Sequence, residues 1–192
     1  MFRKSITKAE LNELELNKYT GEIVLVDQEE DVQAAVSEII EDDLVGIDTE
    51  ARPAFKRGQY NPLALIQIAT SKRVFLFRTN KVGFPQPLRD IFNNADILKV
   101  GIALLDDVRD MQKLGDVDPQ SMFDLNVYAP SLGFENIGAR NLTAMILGFR
   151  ISKSQQTSDW QADTLSIQQM EYAATDAWIC REIYNELKTV YS

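Results

Sequence analysis

Two carboxylates one residue apart end the short apolar stretch Leu44–Glu50, and they are the residues of this chain best suited to chemistry. The β-branched and apolar residues of that stretch predict a buried strand. Side chains at positions i and i+2 of a strand point to the same side, so Asp48 and Glu50 aim at one point. Carboxylates this close repel each other unless a proton or a cation lies between them. The stretch predicts an oxygen-ligated divalent metal site; the alternative is two solvated residues at a strand end.

The residue types that are missing narrow the chemistry further. The chain has no histidine and a single cysteine, Cys180. Serine and cysteine nucleophiles paired with histidine, and histidine-ligated zinc, are therefore excluded. The lone cysteine excludes an internal disulfide and fits a reducing compartment. Any metal that this chain binds is expected to be held by oxygen.

The net charge of −9 is unevenly distributed along the 192 residues. Residues 1–50 have a balance of −10, residues 51–99 have +7, and residues 100–192 have −6. A basic middle third beside an acidic strand end suits an enzyme that binds a phosphate backbone with cations and a metal with carboxylates. The alternative is an ordinary set of surface lysines and arginines.

The hydrophobic pattern predicts one α/β domain, because strand and helix patterns alternate along the chain. We expect a short N-terminal helical extension over residues 1–21, opened by a capping box at Thr7, and the main domain over 22–192. Two strands joined by a tight turn, 63–70 and 73–78, predict a hairpin. The remaining predicted strands cover residues 22–26, 44–49 and 97–101. The remaining predicted helices cover 32–40, 86–93, 104–114, 123–130, 141–147 and 167–190, the last opened by a capping box at Ser166.

Two further places carry acidic groups in positions that matter for chemistry. Asp106 and Asp107 follow a short strand and lie in the first turns of a predicted helix, where the helix dipole alone would favour them. Tyr172 and Asp176 lie four residues apart in the last helix and so share one face. Small alanines around this pair allow another element to approach closely. A surface hydrogen-bonded pair is the alternative for Tyr172 and Asp176.

The order and spacing of these groups resemble a known family. Asp48-Thr49-Glu50, the stretch Gly101–Asp107 and Tyr172-x-x-x-Asp176 are similar to the three motifs of the DEDDy 3′→5′ exonucleases, which include ribonuclease D and the Werner helicase exonuclease domain. Leu63–Ile68 resembles the hairpin strand after the first motif, and Lys153–Trp160 resembles the segment before the third. The resemblance covers about residues 22–190.

This resemblance implies a ribonuclease H-like α/β fold, with a mixed central β-sheet, an antiparallel hairpin and helices on both faces. It implies hydrolysis of phosphodiester bonds from the 3′ end of DNA or RNA, releasing nucleoside 5′-monophosphates. Two Mg²⁺ or Mn²⁺ ions would be held by four carboxylates, and a tyrosine would orient the attacking water. The matching residues are Asp48, Glu50, Asp107, Tyr172 and Asp176. The family spacing, six residues after Gly101, favours Asp107 over Asp106 as the ligand, and a supporting role is left open for Asp106.

The nucleic-acid contacts and partners are expected on weaker grounds. The residues expected to contact the strand are Thr49, Arg52, Lys56, Arg57, Leu65, Lys153 and Trp160, with a core position as the alternative for Trp160. We expect a 3′-ended nucleic acid as the partner, DNA ahead of RNA, and a homo-oligomer or protein partner is left open. No apolar run is long enough to span a membrane, and a cytoplasmic protein is expected. Two other hypotheses remain at this stage: an exonuclease fold that only binds nucleic acid or protein, and a generic α/β interaction domain.

Overall fold

A computed structural model of the chain describes residues 2–54, 56 and 58–191. Six strands form one mixed sheet with the spatial order β1-β4-β3-β2-β5-β6. The strands are β1 Ile23–Val26, β2 Leu44–Ala51, β3 Leu63–Ala69, β4 Val74–Phe77, β5 Leu98–Gly101 and β6 Met122–Asp124. Within the described part of the chain, β3 alone runs against the others, and it forms the predicted antiparallel hairpin with β4.

The helices confirm most of the sequence prediction. They are α1 Lys8–Glu13, α2 Glu29–Ile39, α3 Thr79–Val82, α4 Gln86–Asn93, α5 Leu104–Leu114, α6 Leu125–Tyr128, α7 Ala139–Leu142 and α8 Ile167–Tyr191. A 3₁₀ turn, Ala129–Leu132, follows α6, and a π turn, Thr143–Leu147, continues α7. Both predicted capping boxes are present, at Thr7 with Glu10 and at Ser166 with Gln169.

The prediction of one helix over residues 123–130 is wrong in its first part. Phe123 and Asp124 belong to β6, which pairs in parallel with β5, and the helix begins only at Leu125. A strand of three residues offers too few positions for the alternation that marks a strand in sequence.

The sheet is covered on both faces, as its strand pattern requires. Phe75 and Phe77 point into a core shared with α2, α4 and α5. Their neighbours Val74 and Leu76 point to the opposite face, where they pack against alanines of α8. This alternation follows from the two-residue period of a strand. The face under α8 is the one that bears on function, because α8 carries the last sequence motif.

The N-terminal extension is tied to the rest of the fold by backbone hydrogen bonds. The Arg150 amide donates to the Glu15 carbonyl at 2.9 Å, and the Asn17 amide donates to the Arg150 carbonyl at 2.9 Å. The Tyr19 amide donates to the Thr175 hydroxyl at 3.0 Å. These contacts place the extension against α8 and against the segment that follows the π turn. None of the described helices combines the length and apolar character needed to cross a membrane.

Candidate active site

Strand β2 presents the first two acidic groups. Asp48 lies opposite Gln67 of the neighbouring strand β3, and Glu50 lies opposite Leu65, so the two carboxylates share the face of the sheet that is covered by α8. The strand is internal to the sheet, between β3 and β5, which fixes the backbone on both sides.

Close packing of α8 on β2 brings the third acidic group to the same point. A Cβ atom at Gly46 would lie 2.1 Å from the Ala177 carbonyl oxygen and 2.9 Å from the Arg181 amide nitrogen. Only a glycine therefore allows this approach, and it comes two residues before Asp48 on the same face. Carboxylate oxygens of Asp48, Glu50 and Asp176 consequently lie within 4.8 Å of one another.

Asp107 reaches the site from α5 and lies outside that three-carboxylate group. Its carboxylate accepts a hydrogen bond from the hydroxyl of Thr49, the residue between the two β2 ligands. Asp106 is 88% exposed and forms an ion pair with Arg109 at 3.1 Å. The structure therefore brings Asp107, not Asp106, to the acidic site, as the sequence spacing predicts.

The start of α5 is held by a residue that the sequence analysis did not single out. The Asp124 carboxylate accepts hydrogen bonds from the amides of Ala103 and Leu104, both at 2.9 Å. Ala103 adopts the left-handed backbone conformation, with φ 62°, at the junction of β5 and α5. Asp124 follows the apolar pair Met122-Phe123, a pattern that also fits the end of a short strand, but the sequence prediction includes it in a helix. Asp124 thus fixes the helix that carries Asp107.

Burial and mutual repulsion shift the pKa of every carboxyl group in the site upward. Burial first, and then Asp176, Glu50 and Asp107, raise the pKa of Asp48 well above its usual range. Burial and the neighbouring carboxylates raise the pKa of Glu50 to about 9. Burial also raises the pKa of Asp107 to about 6, against the Thr49 hydrogen bond, which lowers it.

Asp176 and Tyr172 interact directly. Burial raises the pKa of Asp176 to about 7, while a hydrogen bond with Tyr172 and the charge of Lys153 oppose that rise. Burial, followed by the charges of Asp176 and Glu50, raises the pKa of Tyr172 above its ordinary value. The Tyr172 hydroxyl therefore stays protonated at neutral pH and acts as a hydrogen-bond donor.

The donor set fits a divalent cation. Hard cations such as Mg²⁺ and Mn²⁺ prefer carboxylate oxygens, and a cation removes the repulsion that raises these pKa values. Histidine cannot contribute, because the sequence contains none. Asp48, Glu50 and Asp176 are the residues best placed to hold such an ion.

A cavity of about 410 Å³ opens over these carboxylates. Its floor is formed by β2 and α8, and its walls come from the start of α7 and from the segment after the π turn. The lining residues are Asp48, Thr49, Glu50, Ile102, Ile137, Gly138, Ala139, Arg140, Asn141, Ile151, Ser152, Lys153, Gln156, Tyr172, Asp176 and Cys180. The wall over residues 137–141 was not identified from sequence, because its short run of apolar, small and polar residues has no spacing typical of a site.

The residues expected to bind nucleic acid divide into two groups. Thr49 and Lys153 line the cavity. Exposed Arg52 instead pairs with Asp159 at 3.4 Å, and Lys56 is exposed on the loop after β2. Neither of these two loop residues is part of the cavity lining. Arg57 lies outside the described residues.

Leu65 and Trp160 do not fit the role expected from sequence. Both side chains are fully buried, in one core cluster under α8. The expectation that Leu65 contacts the nucleic acid strand is wrong, since its side chain has no exposed surface. Trp160 takes the core position that was its alternative, and its ring lies 6.0 Å from the Tyr172 ring, centroid to centroid. Both residues belong to the buried cluster against which Tyr172 packs.

Comparison with known proteins agrees with this geometry. A family described as 3′-5′ exonuclease matches residues 23–191. Ribonuclease D of Bartonella henselae is 30% identical over 189 residues, covering 97% of this chain and 45% of that protein. DNA polymerase I of Aquifex aeolicus is 28% identical over 160 residues, covering 83% of this chain and 26% of the polymerase. The chain thus spans less than half the length of these two relatives.

A solved structure confirms the fold. The Nibbler EXO domain of Aedes aegypti superposes with a TM-score of 0.82 at 24% identity, covering 91% of this chain and 94% of that domain. The mixed sheet with helices on both faces is the ribonuclease H-like α/β fold predicted from the sequence. All three motifs lie inside the matched range, and the carboxylates of the first and third motifs meet at one cavity. This chain belongs to the 3′-5′ exonuclease family.

Proposed function

We propose that this chain removes nucleotides from the 3′ end of a nucleic acid strand with the help of two Mg²⁺ or Mn²⁺ ions. The observation that carries this proposal is the half-buried group of three carboxylates, Asp48, Glu50 and Asp176, at the floor of an open cavity. Bound divalent ions would generate the nucleophile from water and neutralise charge on the scissile phosphate. Asp48, Glu50, Asp107 and Asp176 would hold them.

The protein's own residues supply the remaining functions. Tyr172 orients the attacking water with its hydroxyl, because its raised pKa makes it a donor rather than a base at neutral pH. Thr49 holds the Asp107 carboxylate through its hydrogen bond. Lys153, on the cavity wall beside Asp176, offers a cation for a substrate phosphate.

We keep a preference for DNA over RNA as part of the proposal, together with a domain boundary between residues 21 and 22. The family match begins at residue 23, which supports that boundary. The two relatives named above are a ribonuclease and a DNA polymerase, so both substrates belong in the test. A homo-oligomer or a protein partner, and a cytoplasmic location, remain proposals as well.

A substrate panel tests this function. The wild-type protein and Tyr172→Phe are incubated with single-stranded DNA, 3′-recessed duplex DNA and single-stranded RNA, each with Mg²⁺, Mn²⁺ or EDTA. We expect cleavage only with metal, fastest on recessed DNA, and a loss of about 10²-fold or more in kcat for Tyr172→Phe with unchanged Mn²⁺ binding. Binding of nucleic acid without cleavage in any metal would favour the alternative, an exonuclease fold that only binds.

A further inference from the structure

Arg140 is a cation on the cavity wall whose guanidinium makes no hydrogen bond within the described part of the chain. It lies in α7 and lines the same cavity as the carboxylates. Its Nε atom is buried and has no hydrogen-bond partner among the described residues. Arg140 also takes part in none of the ion pairs found among the described residues.

Arg140 differs from other arginines of the chain in its terminal nitrogens. The Nε of buried Arg78 also has no partner, but its two terminal nitrogens donate to the carbonyl oxygens of Ala162 and Asp163, and exposed Arg109 pairs with Asp106. A buried donor without a partner destabilises the folded protein, and more so when it is charged. An unpartnered guanidinium at a cavity wall therefore indicates a partner that comes from outside the protein.

The charge of the cavity identifies the class of that partner. The carboxylates on the floor suit cations, whereas a guanidinium presents a planar set of donors that matches two oxygens of a phosphate. A strand with its scissile phosphate at the carboxylates has only a nucleoside on the 3′ side of that bond. The next phosphate lies on the 5′ side. Binding of that phosphate by the protein requires a second anion-binding group.

We propose that Arg140 binds the phosphodiester next to the scissile one, on its 5′ side. This assignment rests on the proposed function, because it takes the carboxylates as the place of the scissile phosphate. The contact is to the backbone and not to a base, so it anchors the strand without selecting a sequence. It gives the α7 wall of the cavity a role in holding the 3′ end in register for cleavage.

A methylphosphonate, which lacks the phosphate charge, tests the contact directly. Two 5′-labelled DNA oligonucleotides are compared, one unmodified and one with a single methylphosphonate at the second linkage from the 3′ end. We expect Arg140→Gln to lower kcat/KM for the first cleavage about tenfold or more on the unmodified strand, mostly through KM. On the modified strand, Arg140→Gln and wild type should cleave at similar rates, because the contact is already lost.

Matched variants separate this contact from general charge and from folding. Arg3→Gln makes the same change in net charge at an exposed ion pair with Glu10 and should leave both rates unchanged. Arg140→Lys should have a KM between those of Arg140→Gln and the wild-type protein. The proposal is overturned if Arg140→Gln behaves like Arg3→Gln, or if the losses from the variant and from the methylphosphonate multiply.

A binding measurement keeps this test independent of the proposed function. If the wild-type protein cleaves neither strand, the proposed function fails. Fluorescence anisotropy with the same two oligonucleotides then still decides the role of Arg140. Weaker binding of Arg140→Gln on the unmodified strand alone supports the contact, and equal weakening on both strands overturns it.

Discussion

At the scale of single residues, the pKa values of the acidic site couple metal binding to stability. The folded protein keeps protons on Glu50, Asp107 and Asp176 at pH values where the unfolded chain has released them. Stability then falls as pH rises through this range, because the folded state binds more protons than the unfolded state. Lys99, whose pKa burial lowers to about 8, acts in the opposite direction only above that pH.

We therefore predict that the metal-free protein loses stability between pH 5 and pH 8. The loss is on the order of a few kcal/mol, from carboxyl groups that would ionise freely in the unfolded chain. Thermal unfolding in EDTA should show a falling Tm over this range, and saturating Mn²⁺ should reverse the trend because it replaces the protons. Glu50→Gln should flatten the EDTA curve. A Tm that is constant or rises with pH in EDTA would contradict the pKa assignment.

Some of the site residues could be predicted from the sequence, and others could not. Helical periodicity and family spacing favoured Asp107 over Asp106 as the ligand, and the structure places Asp107 against Thr49 and Asp106 on the exposed surface. The burial of Leu65 and Trp160 depends on how α8 packs on the sheet, which no local pattern encodes. Arg140 was missed for the same reason, since one arginine in a short helix looks like any surface cation.

At the scale of elements, the site exists because α8 crosses β2 at a glycine. The approach leaves no space for a side chain at Gly46, and the alanines of α8 complete the close contact. The sequence analysis predicted the close approach from the alanines. It could not identify Gly46 as their counterpart, because the pairing of a strand with a distant helix is a tertiary property.

We predict that Gly46→Ala destabilises the protein by about 2–3 kcal/mol and weakens Mn²⁺ binding. The added methyl group meets backbone atoms of α8, which cannot move without displacing Asp176. Gly133→Ala is the control: Gly133 has φ 85° in the left-handed region with open space around it, so strain alone should cost about 1 kcal/mol. Chemical denaturation would measure the loss of stability in each variant, and Mn²⁺ titration would measure the loss of metal affinity. Unchanged Mn²⁺ affinity in a folded Gly46→Ala protein would count against the role given to this crossing.

At the scale of the whole molecule, the N-terminal extension supports the active-site wall. Arg150 precedes the cavity-lining residues 151–153, and its Nε donates to the Leu14 carbonyl at 2.9 Å. The backbone bonds between Arg150 and residues 15 and 17 add to this contact. The sequence predicted the helix of the extension from its capping box but gave no sign of where it docks.

We predict that Arg150→Met loosens the segment that carries Lys153. Loss of the bond to Leu14 should cost about 1 kcal/mol and speed hydrogen–deuterium exchange at residues 151–153. Lys18→Met removes an exposed ion pair with Glu171 and should change stability by only a few tenths of a kcal/mol. If Arg150→Met leaves the exchange of this segment as slow as in Lys18→Met, the extension does not brace the wall.

The most direct test of the central claim is the direction of metal-dependent degradation. One DNA strand is labelled at its 5′ end and, in a second sample, at its 3′ end, and both are followed with Mn²⁺ for the wild-type protein and Asp176→Asn. For the 5′-labelled strand we predict a ladder of labelled products that become shorter one nucleotide at a time. For the 3′-labelled strand we predict immediate release of a labelled mononucleotide. Asp176→Asn should show neither. Internal cleavage products, release from the 5′ end, or full activity in Asp176→Asn would contradict the assignment of this carboxylate site as a 3′→5′ exonuclease centre.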